Sequence, residues 1–123
     1  MKFESNKERI LTAINRADRI TGKNASLPVL SCVLLDAQKD GVMVKATNLD
    51  IGLEIFVPCK VSETGVVAVS GSILNSYLSS LGKNDSTLNF SLQNDNLYIS
   101  SKNSETVIKT HPHDDFPRIP KIK

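Results

Sequence analysis

Apolar residues recur at Ile10, Leu11, Ile14 and Ala17, and Thr21 continues the series. Steps of three and four predict an amphipathic helix from Lys7 to about Thr21. Ser5 with Glu8 has capping-box spacing, Asn6 is the alternative cap, and Gly22 is the expected stop. A short strand through Phe3 is expected ahead of it. After the polar segment 23–26, Leu27-Pro28 opposes further helix. Val29 to Ala37 is apolar on both faces, as in a covered central strand. Lys39-Asp40-Gly41 is a hairpin signal in which Asp-Gly is expected to supply positive φ, and Gly41 to Thr47 runs back. Leu49, Ile51, Leu53, Ile55, Val57 and Cys59 then alternate with Asp50, Gly52, Glu54, Phe56 and Pro58. That is a strand with one face inside.

The order then repeats. Gly65 to Val69 is a short apolar strand, and Ser70 to Leu81 a second helix with Ile73, Leu74, Tyr77, Leu78 and Leu81 on its apolar side. Gly82 closes it. Leu88, Phe90 and Leu92 alternate with polar residues, Gln93-Asn94-Asp95-Asn96 turns, and Asn96–Ser100 and Glu105–Thr110 are two further strands. The pattern is β-α-β-β-β twice, with an internal pseudo-repeat of 1–60 and 61–123. It predicts an α+β fold in a single domain, 1–123, with two helices packed on two antiparallel sheets. Burial of both apolar helix faces would leave the polar faces pointing the same way.

Composition narrows the picture little. With 123 residues, 40% hydrophobic and 23% charged, the chain is long enough for one core, and disordered or collagen-like classes are excluded. A formal charge of +2 does not by itself announce nucleic-acid binding. No apolar run approaches the roughly 20 residues that span a bilayer, and MKFESNKERI lacks a secretory core. Cys32 and Cys59 fall in strand-like stretches and read as reduced structural thiols. A cytoplasmic protein with no membrane contact is expected.

The polar helix faces carry the candidate chemistry. Arg9, Thr12, Asn15, Arg16 and Arg19 lie on the first, with Lys23 just beyond, Glu8 near its start and Asp18 toward the apolar flank. Such a row of guanidinium groups can donate to successive phosphates, although a solvated face has the same composition. Ser72, Asn75, Ser76 and Ser79, followed by Lys83, line the second and include no acid. His111-Pro112-His113-Asp114-Asp115 is the one stretch with zinc-ligand types. Pro112 stiffens it, and no further ligand cluster accompanies it. No glycine-rich phosphate loop or Gly-x-Ser-x-Gly elbow occurs. No catalytic residue, metal or cofactor is expected.

Met1-Lys2-Phe3, Leu27-Pro28-Val29-Leu30, Thr47-Asn48-Leu49-Asp50 followed by Glu54, and Asp115-Phe116-Pro117 span nearly the whole chain. In that order and spacing they resemble the amino-terminal domain of the bacterial DNA polymerase III β sliding clamp. The resemblance implies a non-catalytic processivity factor. Three such domains would form a subunit, and two subunits would close head to tail into a ring around duplex DNA. Helices would line the hole, and sheets would continue across domain and subunit boundaries by edge pairing. On this reading the chain is one domain of a longer protein and would not encircle DNA alone. Clamp loader and polymerase III would bind through domains absent here.

The resemblance carries DNA contacts onto Lys23 and onto Asn24, where an arginine is common. The family's basic positions on the second helix fall on Ser72 and Ser79, which leaves Arg9, Arg16, Arg19 and Lys23 as the expected sequence-independent contacts. The subunit interface of the family maps onto Leu74, Asn103, Glu105, Thr106 and Ile108, with Leu74 and Ile108 as its apolar part. Two other readings of the residues stay open. One is a metal-dependent enzyme using His111, His113, Asp114 and Asp115; the other is an assembly module whose basic helix face is merely solvated.

Overall fold

The computed structural model describes residues 1–21, 31–47, 51–82, 86–102 and 104–111. In chain order the elements are β1 (Lys2–Asn6), α1 (Lys7–Ile20), β2 (Cys32–Gln38), β3 (Gly41–Thr47), β4 (Gly52–Pro58) and β5 (Lys60–Glu63). They continue with β6 (Gly65–Ser70), α2 (Gly71–Ser80), β7 (Thr87–Gln93), β8 (Asn96–Ser100) and β9 (Glu105–His111). The expected second strand begins later than its apolar run, at Cys32, and Val29 and Leu30 lie outside the described residues. Gly22, the expected stop of the first helix, lies there too.

Where two sheets were expected, the strands form one nine-stranded sheet in the order β4-β3-β2-β6-β9-β8-β7-β1-β5. A short antiparallel contact joins its halves, with Ala68 opposite His111 and Val69 opposite Thr110. β1 lies beside β7 while β6 lies beside β2, so each helix leads from one half of the sheet to the other. The two end strands, β4 and β5, are consecutive in the chain and separated only by Cys59. That connection curls the sheet so that its ends approach each other. The strand β5 was not legible in the pattern: Val61 is its one apolar residue, and its pairing to β1 supplies what its side chains do not.

Alternation sets the inner face. Phe3 on β1 and Phe90 on β7 are cross-strand partners whose rings stack at 4.6 Å. Val33, Leu35, Val42, Val44, Leu88, Leu97, Ile99 and Ile108 complete the strand side of the core, and Ile10, Ile14, Ala17, Leu74 and Leu78 supply the helix side. On the outer face Lys45 stands directly opposite Glu54 at 3.5 Å and reaches Asp36 at 3.7 Å. This ladder sits on the outer face beside the Met43–Phe56 pair, of which Phe56 is 42% exposed.

The hairpins differ in mechanism. Asn94 and Asp95 take φ of 51° and 62°, the left-handed pair of a tight two-residue turn. The Lys39-Asp40 turn has no positive φ, contrary to the Asp-Gly expectation. Gly41 serves close packing instead. A Cβ there would collide with the Val57 carbonyl oxygen and come within 2.7 Å of Cζ of Phe56.

Candidate nucleic-acid interface

Asn6, and not Ser5, caps α1, with its side-chain oxygen accepting from the Arg9 N–H at 3.1 Å. Ser5 is buried and donates instead to the Asn6 carbonyl. Thr21 ends the helix, its N–H donating to the Ala17 carbonyl and its hydroxyl to the Asp18 carbonyl at 2.7 Å. Ser70 caps α2 by accepting from the Ile73 N–H.

The helices pack side by side and antiparallel. At one end Lys7, whose side chain is 7% exposed, donates from Nζ to the Gly82 carbonyl oxygen at 2.9 Å. At the other end Gly71 approaches Asp18 so closely that a Cβ would stand 2.7 Å from Asp18 Oδ1. That oxygen is buried and has no hydrogen-bond partner, and the same holds for Asn75 Oδ1. Neither the buried Lys7 nor the Asp18–Gly71 contact carries a sequence signature, because each depends on the helix pairing.

Arg9, Thr12, Arg16 and Arg19 are exposed, as their helical phase required. No ion pair engages any of the three arginines among the described residues. Glu8 is drawn toward the Lys7 ammonium at 3.6 Å, and Asp18 is turned toward α2. At about 100° per residue, Arg9 and Arg16 fall on the flank of α1 opposite Lys7 and Asp18, hence away from α2. There they line a groove of about 400 Å³ between α1 and β4, floored by Ile55 and Val57. Arg19 sits in the last turn and points outward, where it also complements the helix dipole. The basic row therefore crosses α1 toward β4 and does not straddle the two helices. Lys23 and Asn24 lie outside the described residues.

On α2, Ser72, Ser76 and Ser79 are exposed and Asn75 is half-buried, while Lys83 lies outside the described residues. Ile73, assigned to the apolar face, is 57% exposed. Leu74 and Ile108 are 0% and 6% exposed, so this domain's own core consumes them and they have almost no surface for a neighbouring subunit. The apolar side chains available beside them are Ile73 and Val107, the latter 50% exposed. Glu105 is exposed, Thr106 half-buried, and Asn103 outside the described residues. The edge of β9 that faces β6 is paired at Thr110 and His111 only, among the described residues.

A second depression, of about 580 Å³, lies on the outer face near Lys2, Glu4, Lys60, Tyr98 and Glu105. Its mixed charges give a polyanion no net attraction. No group of three or more His, Cys, Asp or Glu suited to a metal occurs among the described residues, and His113, Asp114 and Asp115 lie outside them. Burial raises the pKa of both thiols; at Cys59 a hydrogen bond with the Val42 backbone partly opposes it. Neither cysteine forms a disulfide. No described helix is long and apolar enough to cross a membrane.

Residues 1–120 match the family model described as DNA polymerase III beta subunit, N-terminal domain. The chain belongs to this family. It is 31% identical over 119 residues to the beta sliding clamp of Buchnera aphidicola, an alignment covering 95% of this chain and 32% of that protein. The β subunit of Thermotoga maritima DNA polymerase III superposes with a TM-score of 0.91 at 25% identity, covering 99% of this chain and 33% of that one. A Helicobacter pylori beta clamp bound to a DNA ligase peptide gives a TM-score of 0.90 at 26% identity, over 99% and 34% of the respective chains. This β-subunit domain thus spans about a third of the length of the relatives it matches. The α+β class read from periodicity is that of the family, with the two expected sheets merged into one.

Proposed function

We propose that this chain serves as the amino-terminal domain of a DNA sliding clamp, a non-catalytic processivity factor that holds the bacterial replicative polymerase on duplex DNA. The observation that carries the reading is the exposed row of Arg9, Arg16 and Arg19, unpaired by acids among the described residues, on the helix side of a sheet-backed domain. Guanidinium groups placed in this way attract phosphates without reading bases. In the proposed ring, one internally repeated domain of this kind opens each subunit, two more follow, and a second subunit closes the circle. The sheet offers edges for that assembly at β4, its terminal strand, and along Glu105–Lys109 of β9. Ile73 and Val107 would add the apolar contact.

Partner peptides, including those of the clamp loader and polymerase III, would dock on domains beyond this one; the Helicobacter pylori clamp binds a peptide of DNA ligase. The protein would work in the cytoplasm, without a membrane or cofactor. The test is topological. The complete ring containing this domain, loaded on circular duplex, should stay bound at moderate salt and slide off once the circle is linearised. Equal retention on linear duplex overturns the encircling mechanism. Arg16→Glu with Arg19→Glu should weaken the residual electrostatic contact, and an unchanged salt dependence removes the DNA-facing assignment.

A further inference from the structure

We infer that, of the two helices, only α1 supplies this domain's charged contacts to nucleic acid, and that it follows the phosphates of one strand, so that the helix surface does not discriminate duplex from single-stranded DNA. The inference rests on the DNA-facing reading above and concerns which surface makes the contact. Arg9 and Arg19 are about 15 Å apart along the helix axis at about 1.5 Å per residue. Consecutive phosphates of one backbone are roughly 7 Å apart, so the arginine row covers two or three phosphates of a single strand, within the reach of its three guanidinium groups. Of the two acids of α1, Asp18 is turned toward Gly71 of α2, while Glu8 stays exposed at the amino end, 3.6 Å from the Lys7 ammonium, and shares the groove with Arg9 and Arg16.

α2 contains no charged residue, and its exposed side chains are serine hydroxyls and Ile73. It releases no counterion when a phosphate approaches. Arg9 and Arg16 also lie on the flank of α1 farthest from α2, beside the groove with β4. A backbone seated there leaves the second strand of a duplex without a cationic partner among the described residues. Removing that strand therefore costs no charged contact among the described residues.

The experiment measures fluorescence anisotropy of this chain with a labelled duplex and with an oligothymidine of equal length, across a low-salt series. Neutralising up to three phosphates sets log K against log salt at a slope of about −2.7 for duplex and about −2.1 for the single strand. Affinities for the two should agree within a few-fold at the lowest salt. Each of Arg9→Gln, Arg16→Gln and Arg19→Gln should reduce the slope by about 0.9 for duplex and about 0.7 for the single strand, whereas Ser72→Ala with Ser76→Ala and Ser79→Ala should leave both unchanged. A tenfold or greater duplex preference that depends on the arginines, or a slope altered by the serine changes, overturns the one-helix inference while the DNA-facing reading stands. Slopes indifferent to all three arginines, or no binding at the lowest salt, overturn both.

Discussion

Gly71→Ala should destabilise the domain, although alanine is the better helix former. Replacing glycine inside a helix ordinarily gains about 0.5–1 kcal/mol through the unfolded chain. Here the new Cβ would stand 2.7 Å from Asp18 Oδ1 and 3.2 Å from Cγ1 of Val33, so α1 must move or Asp18 must rotate. Overpacking of that kind costs about 1–3 kcal/mol. The expected net loss is about 0.5–2 kcal/mol. Asp18→Ala removes the obstructing oxygen, which is also a buried acceptor without a donor, at the cost of an acid near the amino end of α2. The double variant should therefore recover at least about 1 kcal/mol relative to the sum of the singles, with the Val33 contact preventing full recovery. Urea unfolding followed by circular dichroism gives the four free energies of the cycle. Additive values, or a Gly71→Ala protein at least as stable as the parent, would refute the claim that Asp18 and Gly71 fix the spacing of the helices.

Lys7→Met keeps the aliphatic stem and loses the bond to Gly82; because Gly82 is exposed, water offsets part of the loss, and urea unfolding should show about 1 kcal/mol of destabilisation. Asp95→Gly, at a φ of 62° in a tight hairpin, should stabilise the domain by about 0.5–1 kcal/mol in urea unfolding, and a lower midpoint would contradict the turn assignment. Burial raises the Cys32 pKa, so the folded state keeps its thiol proton longer than the unfolded chain does. Stability from this group is complete below about pH 8.5 and falls as pH rises above it. Unfolding midpoints across that range should decline less steeply for Cys32→Ala than for the parent.

Local rules carried most of the fold. α1 and α2 were legible because apolar residues kept helical phase and each amino end had a side-chain cap, Asn6 and Ser70, and β3 because alternation and a hairpin bounded it. β5 was not, since a strand of four residues with one apolar position has no period to detect. Its existence is decided by β1, which lies far away in sequence. The merging of two sheets was equally hidden, because Ala68, Val69, Thr110 and His111 meet through backbone hydrogen bonds that no side-chain pattern encodes. Gly41 borders the expected turn, but a crowding neighbour and not φ requires it, and composition announces a glycine without saying which.

The candidate site divides along the same line. Exposure of Arg9, Arg16 and Arg19 followed from helical phase alone, yet their displacement toward β4 followed from where α2 docks. Phase also decides the assembly positions. Along β9, Thr106, Ile108 and Thr110 share the inner face, and Glu105, Val107 and Lys109 the outer. Ile108, expected at the interface, therefore lies on the core side, while its neighbour Val107 is exposed. On α2 the same one-residue difference separates Leu74, which fills the core, from Ile73, which does not. If β9 joins another domain by edge pairing, Val107→Lys and Ile73→Lys should weaken that assembly with little loss of domain stability, whereas Leu74→Lys and Ile108→Lys should unfold the domain itself. Equilibrium unfolding of this chain combined with sedimentation of the complete ring separates the two outcomes. Intact assembly in both exposed variants would remove this edge from the interface.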